Sequence, residues 1–383
     1  MTPLARTATV TLLVLAACHD ASKAPPVTPP ATEAAARVSP EPSTPTASAS
    51  VAPTASAMPF VPEKISMDGK AMGTHLAFAA YTTPKLDAAT IRAAFTAAIA
   101  EVERVEALMT TWREDAQLAR VNASAGKAPV KVDAETLLVV KEALKTSELS
   151  QGTFDITFES LHGLWKFDQD LDPTPPSAAA IKARLPNVSY RFVKVDDAAS
   201  TLFITKAGTK ISLGGIAKGY GVDRAAKVLK EAGVEAFYAQ AGGDLLTAGT
   251  KPDGSEWSAG VRDPRGPDGS YFAILPVTDH AFSTAGDYER AYVVGGKRYH
   301  HIIDPRTGYP ATACRSVTIW AKTALQADAI DDAVFILGPE RGIALVESLD
   351  DVGAVIVDAK NNVWISNRLK GRLKLVRPPS EGL

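Results

Sequence analysis

The apolar positions between residues 88 and 109 recur at the spacing of an amphipathic helix, and Asp87 stands where a helix cap is expected. Similar patterns predict helices at 134–149, 215–232, 324–337 and 340–349. Alternating or short apolar runs predict strands at 191–197, 200–210, 210–213, 236–240, 257–262, 271–277, 316–321, 353–359 and 363–366. This mixed order with hairpins predicts an α+β fold, with mixed or antiparallel sheets and flanking helices.

The first residues have the pattern of an export signal. One basic residue, Arg6, precedes an apolar stretch at 8–17 that is too short to span a bilayer. The following "LAAC" resembles a bacterial lipobox, which predicts a lipoprotein signal peptide at 1–18 and lipidation at Cys18. The alternative is an ordinary cleaved secretory peptide. The lipobox predicts attachment to a bacterial membrane by the lipid anchor, on its periplasmic side.

Residues 19–62 are almost entirely Ala, Pro, Ser and Thr. Such a segment buries too little apolar area to offset the entropy of ordering it, so we expect a disordered tether. A single domain is predicted at 63–375. Cys314 is the only other cysteine, and after lipidation of Cys18 it leaves no internal disulfide.

The charge balance argues against one class of partner. A formal net charge of −2 provides no basic excess, so we expect no nucleic-acid binding. The remaining classes are an enzyme, a ligand-binding protein and a structural envelope protein.

A glycine-rich turn marks the most suggestive stretch, "KISLGGIAKGYGVD". Gly214, Gly215 and Lys218 lie where a strand is predicted to meet a helix. Backbone and a cation could hold a phosphate there, and a tight turn would use the same residues.

Two acidic residues further on share a predicted helix face. Asp328 and Asp332 are four residues apart, where like charges repel, and a hard divalent cation would offset that repulsion. A solvated acidic face is the alternative. Asp331 is predicted to point off that face, as an ordinary surface residue.

His300 and His301 are two of only six histidines. A histidine beside reacting groups can take a proton from a hydroxyl, whereas a hydrogen-bonded structural histidine is equally compatible with the spacing. The residues alone thus indicate an exported enzyme or binding protein for a phosphate-bearing ligand, with Mg²⁺.

The ordered set of motifs resembles the bacterial flavin transferases of the ApbE family, the FAD:protein FMN transferases. The resemblance covers residues 65–366 and rests on "MGT", "GTFDIT", "LGGIAKGYGVD", "AGGD", "STAGDYER", "HIIDPRTGYP" and "ADAIDDA". It implies that FAD binds with Mg²⁺ and that a Ser or Thr hydroxyl of an exported acceptor protein attacks the FMN phosphorus. AMP then leaves. Respiratory electron-transfer subunits are the acceptors that the resemblance implies.

The resemblance also implies roles for individual residues. His301 would assist catalysis, and the Gly215 carbonyl would bind the metal with Asp328 and Asp332. The residues implied to contact FAD are Met72, Trp112, Thr153, Phe154, Asp155, Ser212, Lys218 and Ile302.

Two positions depart from the family pattern. Ser212 stands where the family usually has Asp, and Asp332 where it usually has Thr or Ser. Two alternatives to the transferase stay open. Variation within the family allows an Mg²⁺-dependent pyrophosphatase that splits FAD into FMN and AMP, and the two changes argue weakly for a non-catalytic FAD-binding lipoprotein.

Overall fold

The computed structural model describes residues 60–167 and 170–382. The described residues from Pro62 onward form one compact unit. The predicted signal peptide, the lipidation site Cys18 and the tether up to residue 59 lie outside the described part, so these three remain predictions. Among the described residues, no helix combines the length and apolar character needed to cross a bilayer.

The described part of the chain contains seven α-helices, four short 3₁₀-helices and eighteen strands. The helices are α1 Ala88–Met109, α2 Gln117–Ala123, α3 Ala134–Leu149, α4 Ala178–Arg184, α5 Ala217–Glu231, α6 Ala324–Leu337 and α7 Pro339–Glu347. The strands are β1 Lys64–Ala71, β2 Thr74–Tyr81, β3 Val130–Lys131, β4 Val193–Asp196, β5 Thr201–Ile204, β6 Phe237–Ala241, β7 Asp244–Ala248, β8 Ser258–Arg262, β9 Tyr271–Pro276, β10 Ala281–Gly286, β11 Ala291–Val294, β12 Lys297–His300, β13 Ile303–Asp304, β14 Tyr309–Pro310, β15 Cys314–Ala321, β16 Gly353–Asp358, β17 Val363–Ile365 and β18 Lys374–Leu375.

The centre of the fold is an eight-stranded sheet in the order β1-β2-β6-β7-β10-β15-β16-β17. Every neighbouring pair in this sheet is antiparallel. Three-stranded sheets, β18-β9-β8 and β3-β5-β4, and two hairpins, β11-β12 and β13-β14, complete the strand pairing. The predicted α+β class, with antiparallel sheets and flanking helices, is confirmed.

Alternation along the central strands divides the apolar residues between two cores. Ala281 and Ala285 of β10, with Val317 and Ile319 of β15, face a core that also contains α1, α5 and α6. Phe282, like Trp320 of β15, faces the opposite core, which is completed by β8 and β9. Strands β10 and β15 therefore carry helices on one side and a small sheet on the other.

A further core lies at the ends of these helices, where α2 and α3 pack against the sheet β3-β5-β4. Residues 211–213 border this core and were predicted to form a strand, but they form none. The Asn122 side chain occupies both polar groups of the Ile211 backbone, and Ser212 N–H donates to Ile156 O at 3.0 Å. The backbone of this stretch therefore bonds to the Asn122 side chain and to the Ile156 carbonyl, and it does not pair with a neighbouring strand.

Candidate active site

Three segments that are distant in sequence meet beside the first turn of α5. They are the glycine turn before α5, the residue that follows the tight β6–β7 turn, and the middle of α6. Lys218 connects them: its ammonium group donates to Asp244 Oδ2 at 3.0 Å and to Asp328 Oδ1 at 2.9 Å. Burial alone would lower the pKa of Lys218, but Asp244 and Asp328 raise it well above its ordinary value. Lys218 is therefore a fixed positive charge within an acidic cluster.

Ser283 of β10 extends this cluster to a third carboxyl group. Its Oγ lies 2.5 Å from Asp244 Oδ1 and 2.6 Å from Asp331 Oδ2. A hydroxyl carries one proton, so hydrogen bonds at both contacts require a second proton from one of the carboxyl groups. Burial raises the pKa of Asp331 well above its ordinary value and that of Asp244 to about 6, which favours such sharing.

The prediction that Asp331 is an ordinary surface residue is wrong. Its side chain is buried, because α6 packs against its neighbours on most of its circumference. Ligand atoms of Asp244, Asp328 and Asp331 lie within 4.8 Å of one another, which is close enough for a metal ion. The Lys218 ammonium already bonds two of these carboxylates, so an ion placed there would have to displace it.

The predicted metal ligands offer a second position, at Asp328, Asp332 and the Gly215 backbone. Asp332 follows Asp328 by one helical turn, and a Cβ built on Gly215 would lie 3.4 Å from Asp332 Oδ2 and 3.4 Å from the Phe154 ring. Among the described residues, no group donates a hydrogen bond to the half-buried Asp332 carboxylate. Burial, and then the charge of Asp328, raise the pKa of Asp332 to about 7.

These features fit a hard divalent cation. Two carboxylates one turn apart, next to a backbone free of any side chain at Gly215, provide the oxygen ligands that Mg²⁺ prefers. Asp328 Oδ1 and Oδ2 each accept one hydrogen bond, from Lys218 and from Gly219 N–H at 2.8 Å, and each oxygen retains a second lone pair. Asp328, Asp332 and the Gly215 backbone are thus the residues that could hold Mg²⁺.

The segment "GTFDIT" packs beside Asp332 and the Gly215 turn. Thr153 is buried and donates to Ala333 O at 3.2 Å, which ties the segment to α6. The Asp155 carboxylate accepts hydrogen bonds from Thr157 N–H at 2.8 Å and Tyr190 N–H at 2.7 Å. Three residues of this segment are predicted to contact FAD. The structure places the ring of Phe154 beside Gly215, whereas Thr153 and Asp155 form hydrogen bonds within the protein.

His301 follows β12 and is half-buried. Its backbone N–H donates to Arg290 O at 3.1 Å, and its ring Nδ1 is buried without a hydrogen-bond partner. Burial, then the charges of Arg290, His300 and Lys218, lower the pKa of His301 to about 3, so the ring is neutral at pH 7. His300, in contrast, is buried with Nε2 2.7 Å from Ala311 O, as a structural histidine would be.

The remaining predicted FAD contacts lie in different environments. Ile302 is buried in the core that contains α5 and α6. Met72 has a positive φ of 52° and packs against α5 near Gly221. Ser212 Oγ accepts a hydrogen bond from Gly214 N–H at 3.2 Å, which shapes the glycine turn. Trp112 is 81% exposed and makes a T-shaped ring contact with His162.

Asp244 and Ser283 lie in the motifs "AGGD" and "STAGDYER", but the sequence alone predicts no role for either residue. Asp244 begins β7 and Ser283 lies on β10, and these strands are neighbours in the central sheet. Strand pairing therefore brings the two side chains together. The local signal was an acidic residue directly after two glycines, in "AGGD".

Comparison with known proteins agrees with this architecture. The ApbE family model matches residues 72–356. The FAD:protein FMN transferase of Treponema pallidum (strain Nichols) is 32% identical over 308 residues, covering 76% of this chain and 84% of the relative. The FAD:protein FMN transferase of Klebsiella pneumoniae (strain 342) is 31% identical over 284 residues, covering 73% and 80% respectively.

Two solved structures have the same fold. The ApbE protein of Thermotoga maritima superposes with a TM-score of 0.72 and 33% identity, covering 81% of this chain and 99% of that one. The flavin transferase ApbE of Vibrio cholerae gives a TM-score of 0.71 and 28% identity, covering 82% and 100% respectively. The motifs, the fold and these relatives together show that this chain belongs to the ApbE family.

Proposed function

We propose that this protein is an Mg²⁺-dependent FAD:protein FMN transferase that joins FMN to a Ser or Thr hydroxyl of an exported acceptor protein. The relatives that share its family carry the transferase name. The observation that carries the metal requirement is the Asp332 carboxylate, which has no hydrogen-bond donor in the described part of the chain and lies beside Asp328 and the Gly215 backbone.

The reaction balances with one bond formed and one broken. The acceptor hydroxyl loses its proton and its oxygen bonds to the FMN phosphorus, while the bond from that phosphorus to the bridging oxygen breaks. AMP leaves with the electron pair of that bond. Mg²⁺, when bound, would neutralise charge on the pyrophosphate and on the departing AMP.

The chain's own residues would orient the reacting groups and accept the proton of the acceptor hydroxyl. Asp328, Asp332 and Gly215 would hold the cation, and Lys218 would hold the Asp328 side chain in place through its 2.9 Å hydrogen bond. The neutral His301 ring has an unpartnered nitrogen and could receive the proton of the acceptor hydroxyl. The negative charge of bound FAD would raise the pKa of His301 from its low value in the free protein, which would make it a better base.

The function is tested with the full-length protein in detergent, supplied with FAD, Mg²⁺ and an exported acceptor domain that contains Ser or Thr. Flavin fluorescence on the acceptor after a denaturing gel, together with released AMP, is the expected result. Chelation by EDTA or Asp328→Asn should abolish both products. The matched control Asp253→Asn, on an exposed turn after β7, should leave them unchanged.

Two other outcomes would support the alternatives. AMP and free FMN without a labelled acceptor, with several acceptors tried, would indicate the pyrophosphatase. Bound FAD with neither product would indicate a non-catalytic FAD-binding protein, and would place the cause at Ser212 and Asp332.

The location of the protein is part of the same proposal. Cleavage before Cys18 and lipidation of its thiol would place the domain on the periplasmic side of a bacterial membrane, where exported acceptors are found. Mass spectrometry of the mature N-terminus and metabolic labelling with a fatty acid test this, and an unmodified N-terminus after Cys18 would contradict it.

A further inference from the structure

Helices α5 and α6 cap each other's N-termini. Asp223 of α5 accepts hydrogen bonds from Ala324 N–H at 2.8 Å and from Leu325 N–H at 2.9 Å. These are the first two amides of α6, which have no partner within their own helix. The next amide, that of Gln326, is capped from within the chain segment of α6 itself, by the Thr323 hydroxyl at 3.2 Å.

The reverse contact runs from α6 to α5. Gly219 is the third residue of α5, and its otherwise unpaired N–H donates to Asp328 Oδ2 at 2.8 Å. Gly219 and Asp223 are one turn apart on α5, as Ala324 and Asp328 are on α6. The pairs run in opposite directions, so two contacts about 5.4 Å apart fix both the slide and the rotation of α6 on α5.

No side chain separates the α5 and α6 backbones at Gly219. A Cβ built on Gly219 would lie 2.2 Å from Ala324 O and 2.8 Å from Asp328 Cβ, so the two backbones touch directly. A displacement of the first turn of α6 is therefore passed to Asp328 one turn later. Among the described residues, Asp223 bonds to neither the Lys218 ammonium nor the Asp332 carboxylate, so its hydrogen-bonded link to the site runs through α6. Its carboxyl group also interacts electrostatically with that of Asp328.

We propose that Asp223 is a positioning residue for the metal centre: by holding the first turn of α6, it sets where Asp328 stands against the Gly215 turn. This inference rests on the proposed function, since it takes Asp328 and Asp332 as the residues that bind Mg²⁺. It assigns to Asp223 the role of an outer partner whose loss weakens metal binding without removing a ligand.

Mn²⁺ binding to the full-length protein, measured by electron paramagnetic resonance with FAD present, tests this role. Removing an outer partner of a metal site typically weakens metal affinity about 10- to 100-fold, and we expect an effect in this range for Asp223→Ala. Thr323→Ala is the matched control, because it removes a cap from the same end of α6 but leaves the link to α5. Its Mn²⁺ affinity should stay within about twofold of the wild-type value.

Asp223→Asn keeps the shape and one acceptor oxygen, so its affinity should fall between the other two. It carries the test if the alanine variant does not fold. Hydrogen exchange at the Gly219 amide should accelerate in Asp223→Ala and not in Thr323→Ala, since only the former frees α6 from α5.

Three results would overturn the inference. If both Asp223 variants bind Mn²⁺ with wild-type affinity, α6 holds its position without the hydrogen bonds to Asp223. Equal weakening in Asp223→Ala and Thr323→Ala would show that Asp223 only stabilises a helix end. If instead Asp328→Asn leaves Mn²⁺ binding unchanged, the metal site of the proposed function is wrong, and the inference is overturned together with it.

Discussion

Adding one methyl group at Gly219 should force α5 and α6 apart. The methyl carbon of Gly219→Ala would lie 2.2 Å from Ala324 O, whereas carbon and oxygen atoms in contact are normally about 3.3 Å apart. The backbone of α6 must therefore retreat by about 1 Å. That retreat lengthens the hydrogen bond from Gly219 N–H to Asp328 Oδ2, whose heavy-atom distance is 2.8 Å in the native protein.

The size of the effect follows from three contributions. Overpacking a tight interface costs about 2 kcal/mol, and losing a buried hydrogen bond to a charged group costs about 2 kcal/mol more. Alanine is the better helix former by about 1 kcal/mol, which offsets part of this cost. We expect Gly219→Ala to lower the free energy of unfolding by about 3 kcal/mol, the sum of these estimates.

Urea unfolding followed by circular dichroism measures this loss, with Gly221→Ala as the control. A Cβ at Gly221 would meet the Met72 side chain, with Cε at 3.1 Å, and the end of a flexible side chain can move aside. Both variants have the same gain in helix propensity, so Gly221→Ala should be within about 1 kcal/mol of wild type. If Gly219→Ala were as stable as Gly221→Ala, the direct backbone contact between α5 and α6 would be refuted.

Three further predictions concern titratable groups outside the Asp328–Asp332 pair. Arg265 and Asp287 form a two-bond ion pair at 2.6 and 2.7 Å, with side chains 8% and 10% exposed, so Arg265→Ala should lower the free energy of unfolding by about 3 kcal/mol in urea. Because the pKa of His301 is lowered from 6.5 to about 3, its ring should not titrate between pH 5 and 8 in NMR spectra of the free protein, and a midpoint near 6.5 would contradict this. The neutral ring then contributes stability above pH 6.5 that is lost as the pH falls toward 3, and His301→Gln should remove this dependence. Although burial would raise the pKa of Asp263, hydrogen bonds from Ser380 and from backbone N–H groups lower it below 3.8. The stability that these bonds contribute is therefore present above pH 3.8 and is lost on further acidification. In Asp263→Asn, the free energy of unfolding should depend less on pH below 3.8.

Local patterns predicted five of the seven α-helices and missed the two seven-residue helices α2 and α4. The bounds 88–109, 134–149 and 324–337 are those of α1, α3 and α6, because apolar spacing and a capping residue, such as Asp87, are properties of the segment itself. The strand predicted at 210–213 failed for the opposite reason. Its backbone groups bond to Asn122 and Ile156, and nothing within the segment indicates those distant partners.

In the candidate site, too, local spacing predicted some positions and tertiary packing decided others. The spacing of Asp328 and Asp332 placed both on one face of a helix, and the structure has them on α6. The misplacement of Asp331 came from treating α6 as a surface helix, whereas β10 and α5 cover it and Ser283 reaches Asp331 from the sheet. Which residue meets a second face of a buried helix depends on tertiary packing, and a one-dimensional pattern does not contain it.

The balance of charge at this site suggests why a cation and a phosphate-bearing ligand belong together there. Lys218 is one positive charge among four carboxyl groups, those of Asp244, Asp328, Asp331 and Asp332. Alone, this cluster would repel the pyrophosphate of FAD. Shared protons, such as those between Asp331, Ser283 and Asp244, reduce the repulsion within the cluster without creating an attraction for an anion. A divalent cation on Asp328 and Asp332 would supply that attraction, and by linkage FAD would strengthen the binding of the cation by the same factor.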